Sequence, residues 1–184
     1  MSLELDDAIK GRRSIRSYMD RPIPMELVRE VLEAGTWAPS AKNGQQWRFT
    51  VLTGATKKSL TDVFRRELED LESRIGRDLM GSSLGSCGIM ERAPVLVMVW
   101  NAGERGWDSE VQSVAAAIQN MLLKAYDLGL GSLWIADIYY AHERLTEHLG
   151  KPWNLMAAVA LGWPTAVPTT PPRKSVDEVS EFLI

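Results

Sequence analysis

The run Pro94-Val95-Leu96-Val97-Met98-Val99-Trp100 is apolar at every position and rich in β-branched side chains. A run that alternates has one dry face; one that does not alternate fits a central strand buried on both. This single segment therefore sets the frame into which the rest of the chain must fit. Trp47, Phe49 and Val51 alternate with Arg48 and Thr50, the pattern of a strand with one buried face. Ser132–Ala136 reads as another buried strand, and Met156–Trp163 as a strand of small residues.

Between these runs the period changes to that of helices. Residues 3–11 predict a short helix stopped at Gly11, and 24–36 an amphipathic helix with the apolar stripe Leu27, Val28, Val31, Leu32 and Ala34. Pro24 suits the first turn, where its missing N–H costs nothing. A long helix is expected over about 56–76. The stretch from Gly76 to Gly88 has turn composition, Gly81-Ser82-Ser83-Leu84-Gly85-Ser86-Cys87-Gly88 above all, and reads as a mobile surface loop. Residues 109–128 predict a helix with a broad apolar face, opened by a capping box between Ser109 and Gln112 and stopped by Gly129. His142–Leu149 is a short helix ended by Gly150. The proline-rich tail from Pro164 to Pro172 should lie extended, and Ser175 with Glu178 could cap one last turn.

At 184 residues the chain suits one domain, 1–184. A net charge of −3 argues against general nucleic-acid binding. The lone Cys87 excludes an internal disulfide, which makes a reducing cytoplasm the default. No apolar run approaches the ~20 residues of a membrane span, and the acidic N-terminus lacks a signal-peptide core. His142 and His148, six apart, fall on different helix faces, so they form no metal pair. Hydrolase and nucleotide-loop motifs are absent, so any catalysis would fall to a bound cofactor.

Two regions carry polar chemistry. Arg12-Arg13-Ser14-Ile15-Arg16-Ser17-Tyr18 concentrates guanidinium forks and hydroxyls that match phosphate oxygens. The plainer reading is a cationic helix C-terminus facing water. Trp37-Ala38-Pro39-Ser40-Ala41-Lys42-Asn43-Gly44-Gln45-Gln46-Trp47 joins a helix to a strand through a turn with a hydroxyl and paired amides. Asn43 and Gln45 suit the edge of a planar heterocycle, each offering a donor and an acceptor; the plainer reading is a polar loop in which Asn43-Gly44 supplies positive φ.

These two regions, followed by Gln119-Asn120-Met121-Leu122-Leu123, Leu128-Gly129-Leu130-Gly131, Ala160-Leu161-Gly162-Trp163-Pro164 and Pro172-Arg173-Lys174, resemble in order and spacing the FMN-dependent nitroreductase family. The resemblance covers nearly the whole chain. It implies an α+β fold, a mixed β-sheet flanked by helices, in an intertwined homodimer with FMN at the interface. By family position, Arg12, Arg13, Ser14 and Arg16 would hold the phosphate, ribityl and pyrimidine end. Pro39, Ser40, Ala41 and Asn43 would come from the partner chain. The backbone near Ala136 and Asp137 would face flavin N5, and Arg173 and Lys174 would close over the phosphate. The expected activity is hydride transfer from NADH or NADPH through the flavin to a small-molecule electron acceptor, a nitroaromatic or quinone, by a ping-pong mechanism. Rivals within the resemblance are dehalogenation, flavin fragmentation and enoate reduction; outside catalysis, a flavin-binding regulatory dimer. Two departures stand out. Gln46 occupies the place of the family's usual proline, and residues 65–92, which govern substrate choice in that family, match poorly.

Overall fold

The computed structural model describes residues 4–76 and 83–184. In order these form α1 (Leu5–Gly11), α2 (Met25–Thr36), a 3-10 turn (Ala41–Asn43), β1 (Trp47–Leu52), α3 (Gly54–Ile75), α4 (Ser83–Arg92), β2 (Val95–Asn101), α5 (Asp108–Asp127), β3 (Gly131–Ile135), a second 3-10 turn (Asp137–Ala141), α6 (His142–Leu149), β4 (Asn154–Gly162) and α7 (Val176–Val179).

The expected α+β architecture is present. The four strands run in the order β1-β2-β4-β3. All three pairings are antiparallel, so the four-stranded sheet is antiparallel where a mixed one was expected; among the described residues the one parallel pairing is the isolated bridge between Ser14 and Ser132. Every residue of β2 is buried, as its unbroken apolar sequence requires. Val95, Val97 and Val99 point to one side, with Val28 and Val31 of α2 and Ile118 and Met121 of α5. Leu96, Met98 and Trp100 point to the other, with Phe64 and Leu68 of α3, Met90 of α4 and Leu145 of α6. Burial of each such side chain is worth about 1.5–3 kcal/mol, so the sheet is held by a helical layer on each face. The small side chains of β4 answer to crowding: a Cβ on Gly162 would lie 2.5 Å from Tyr18 Cδ1 and 2.8 Å from Pro94 Cδ.

Two local expectations are corrected. Residues 83–88 are not loop but the first part of α4, with Ser83 and Cys87 buried. Gly and Ser disfavour helix in isolation; packing Cys87, Ile89 and Met90 against α3 outweighs that preference. Residues 77–82 of the same expected loop lie outside the described residues. The Ser109–Gln112 capping box does not form, because α5 starts one residue earlier, with Trp107 at its N-cap and no side-chain cap. At the other end of α5 the expected stop is present: Gly129 has φ 74°, and Gly129 and Leu130 donate their N–H groups to Tyr126 and Ala125 carbonyls, the Schellman arrangement. Ser175 and Glu178 form the full capping box of α7.

Candidate functional site

The segment after α1 runs beside the outer edge of β3. Ile15 N–H donates to the Ser132 carbonyl at 2.9 Å, and Ile15 and Tyr18 are buried. Beside them Arg12 and Arg13 are half-buried and Arg16 is exposed. Gly131 permits this approach, since a Cβ there would come within 2.8 Å of Ile15 Cγ2. The Tyr18 hydroxyl donates to the Ile15 carbonyl at 2.9 Å, and burial raises its pKa above the ordinary tyrosine range.

Arg12 loses some of its ordinary basicity, first through burial, then through the adjacent charges of Arg13 and Arg173. The tail thus returns to the arginine segment. Arg13 donates to the Lys10 carbonyl at 2.6 Å and to the Thr170 hydroxyl. Among the described residues no carboxylate forms an ion pair with Arg12, Arg13, Arg16 or Arg173. Like charges held together without a counter-charge favour an anion. Arg12 and Arg13 border a cavity of about 160 Å³ that Ile15, Tyr126, Leu130 and Ser132 also line. Lys174 lies exposed beside Arg173.

Four residues beyond Ser132 along the same edge are Ala136 and then Asp137, which opens the second 3-10 turn. At the rise of a strand this is about 13 Å. The Asp137 carboxylate accepts from the Ser86 hydroxyl of α4, a partner that sequence reading did not supply because residues 83–88 were expected to be loop.

The amide-bearing turn is wound tightly. Lys42, Asn43 and Gln45 have φ of 53°, 53° and 49°, while Gly44 has φ −71°. The expectation that Asn43-Gly44 carries positive φ holds for Asn43 only; Lys42 and Gln45 carry the remainder. Left-handed backbone at non-glycine residues costs of order 1–3 kcal/mol each and collects at functional sites. Here it is held by Gln45 N–H donating to Ser40 Oγ at 3.1 Å and Ala41 N–H donating to Ser113 Oγ at 3.0 Å. Pro39, Asn43 and Gln45 remain exposed.

The structure therefore brings Arg12, Arg13, Ser14, Arg16, Ala136, Asp137 and Arg173 to one sheet edge. It does not bring Pro39, Ser40, Ala41, Asn43 and Gln45 there. The turn contacts α5 at Ser113, whereas the arginine segment meets α5 at Tyr126, against Gly11. Thirteen residues of helix, 113 to 126, separate the two contacts, about 20 Å.

Sequence reading missed Glu110. Its side chain is 2% exposed in the first turn of α5, and its Oε2 has no hydrogen-bond partner. The signal was present: Glu110 is spaced i, i+4, i+8 and i+11 with Val114, Ile118 and Met121, on the core stripe. Among the described residues no His/Cys/Asp/Glu cluster could hold a metal, and no helix is long and apolar enough to cross a membrane.

An antiparallel sheet between helical layers, with an arginine cluster along one strand edge that has no carboxylate partner among the described residues, defines the chain as an α+β protein. The sequence model of the nitroreductase family matches residues 9–163, and the chain belongs to that family. A protein of Archaeoglobus fulgidus described as an NADH dehydrogenase/NAD(P)H nitroreductase is 35% identical over 85% of this chain and 83% of its own length. The chloronitrobenzene nitroreductase of Comamonas testosteroni is 40% identical over 86% of each chain. A Desulfovibrio desulfuricans protein described as a nitroreductase, solved in complex with FMN, superposes with a TM-score of 0.79 at 30% identity, covering 100% of this chain and 99% of that one.

Proposed function

We propose that this chain is a single-domain, FMN-dependent NAD(P)H oxidoreductase that works as a homodimer and reduces nitroaromatics, quinones or related electron-poor acceptors. The observation that carries the reading is the arginine cluster without a carboxylate partner, on the same strand edge as Ala136 and Asp137. Three guanidiniums fit the terminal phosphate of FMN, whose charge they offset by charge-assisted hydrogen bonds. Support for the cofactor and the reductant comes from the FMN bound by the Desulfovibrio protein and the NAD(P)H named for the Archaeoglobus one.

When bound, FMN would supply the redox chemistry, passing the two electrons of a hydride from NAD(P)H through N5 to an acceptor that takes the place of the oxidised nicotinamide. The chain's own residues hold and orient. Arg12, Arg13, Arg173 and Lys174 would grip the phosphate; Ser14 and Arg16 would face the ribityl and pyrimidine end. Arg16 would also stabilise negative charge gathering at that end on reduction. The backbone N–H at Asp137, the first residue of the turn after β3, would meet N5. The 160 Å³ cavity is too small for a whole flavin. The partner subunit's Pro39, Ser40, Ala41, Asn43 and Gln45 would close it, since this chain's own copies lie about 20 Å away along α5. The exposed apolar tail, with Phe182 and Leu183 at 68% and 88% exposure, offers further surface for a second copy. The unpaired, buried Cys87 accords with a reducing cytoplasm.

Purified protein is expected to be yellow, to release FMN and not FAD on denaturation, to scatter light as a dimer and to oxidise NADPH with a nitroaromatic acceptor. Protein that takes up no FMN overturns the reading; an FMN-loaded monomer overturns its dimeric part.

A further inference from the structure

A cavity of about 720 Å³ lies between the segment after the arginine cluster, the start of α3 and the junction of α4 with β2. That volume suits a small organic molecule. The cavity stands apart from the turn proposed to meet flavin N5. The register sets Leu52 beside Leu96, Val95 beside Leu161 and Gly131 beside Gly162, so Thr53 and Val95 of the cavity wall share one end of the sheet with Gly131. Asp137 follows β3 at the other end, about 20 Å along the strand.

Three cations from separate segments, Arg21, Lys57 and Arg92, line this cavity. Two of them are held in place. Lys57 is half-buried, and its Nζ donates to the Glu91 carbonyl at 2.7 Å and to the Ala93 carbonyl. Those carbonyls offer partial charge but no counter-ion, and one of the three ammonium donors is left over. The Arg21 guanidinium lies 4.3 Å above the Trp163 ring, whose indole N–H donates to the Pro22 carbonyl at 3.2 Å. Fixing a Lys or Arg side chain costs up to about 2 kcal/mol of rotamer freedom, so held cations are unlike ordinary solvated ones. None of the three forms an ion pair among the described residues. The Glu91 carboxylate on the same wall is already taken by two hydrogen bonds from Arg65, at 2.9 and 2.6 Å.

The remaining groups narrow the ligand. Asp20, exposed at the rim, also lacks an ion pair among the described residues. Its charge disfavours a bare anion, and its oxygens accept from hydroxyl groups. Buried Ile23 and Val95 give the cavity an apolar floor that a carbon skeleton can cover. We propose that this cavity is a second anion site that takes a sugar phosphate, with the phosphate on Arg21, Lys57 and Arg92 and the sugar hydroxyls toward Asp20. Occupation needs no contact with the flavin.

The test titrates the full chain, saturated with FMN so that the Arg12 cluster is filled, by calorimetry with ribose 5-phosphate and inorganic phosphate. The parent is expected to bind ribose 5-phosphate the more tightly and to release no FMN. Arg21→Gln and Arg92→Gln, both at exposed positions, are each expected to weaken it about tenfold, the loss of a hydrogen bond between charged partners. Asp20→Ala is expected to tighten inorganic phosphate and to narrow the preference for the sugar phosphate. Circular dichroism that matches the parent shows that the variants fold. A parent that binds neither probe, binds both equally, or loses FMN to ribose 5-phosphate overturns the inference, as do arginine variants that bind like the parent. A chain that takes up no FMN, yet binds ribose 5-phosphate with this pattern of variants, overturns the proposed function and leaves the second site standing.

Discussion

The Ser86 hydroxyl donates to the Asp137 carboxylate, tying the middle of α4 to the first residue of the turn after β3. One end of this bond is in a helix with poor intrinsic propensity, and the other adjoins the backbone proposed to meet flavin N5. The bond therefore couples a weak element to the site. Hydrogen bonds to charged groups contribute about 1.5–3 kcal/mol when sheltered, and both groups are half-buried. A double-mutant cycle with Ser86→Ala and Asp137→Asn, read by urea unfolding, is expected to give a coupling of about 1 kcal/mol. Additive effects of the two substitutions would mean that α4 docks by apolar packing alone.

Arg12 is half-buried and lacks a counter-charge among the described residues, and burial together with Arg13 and Arg173 lowers its pKa. Arg12→Ala is expected to relieve that repulsion and to weaken FMN binding by about 1.5–3 kcal/mol, the worth of a hydrogen bond to an ionised partner. Arg12→Lys should recover part of this, because the charge returns without the fork. Quenching of flavin fluorescence on titration of apoprotein measures both. FMN affinity unchanged in Arg12→Ala would return the cluster to the role of a solvated helix end.

Gly131 and Gly85 make opposite predictions. A side chain at Gly131 would meet Ile15 at 2.8 Å, whereas one at Gly85 would meet nothing within 4 Å. Gly131→Ala is expected to destabilise by about 1–3 kcal/mol through overpacking and to lower FMN affinity by displacing the arginine segment from β3. Gly85→Ala, within α4, is expected to stabilise by about 0.5–1 kcal/mol. Thermal unfolding of both variants checks the pair of signs.

Cys87 is fully buried beside Glu91, and burial first, then that carboxylate, pushes its thiol from 9.0 up to about 11. Between those values the unfolded chain releases the proton and the folded chain keeps it. The unfolded state then binds fewer protons, so stability falls as pH rises through this window, by up to about 2 kcal/mol. Lys57, whose pKa burial lowers, acts in the opposite sense, so the contribution is isolated by difference. Urea unfolding of the parent and Cys87→Ala at pH 8 and pH 10.5 is expected to show a steeper loss in the parent. Equal losses would show that the folded thiol ionises as freely as the unfolded one.

How much of this was legible in the sequence follows from the range of the forces involved. Local rules carried the elements whose neighbours in sequence are their partners in space. The Ser175–Glu178 capping box, the Gly129 stop of α5 and the two-faced burial of β2 each depend on a few adjacent residues or on one side-chain pattern. The arginine cluster and the amide-bearing turn were likewise visible as composition.

What only the tertiary structure decided depends on partners far along the chain. Residues 83–88 are helical because Cys87 and Met90 find α3 and the sheet, a gain in apolar burial that no propensity of Gly or Ser foretells. Lys42 and Gln45 take left-handed backbone because Ser113, some seventy residues on, anchors the turn. Glu110 lies buried because Gly103 leaves room for it. Most consequentially, the sequence by itself determined that the phosphate-matching and ring-matching residues exist. The length of α5 decided that one chain holds them about 20 Å apart, because a helix is rigid and fixes the distance between whatever packs at its two ends.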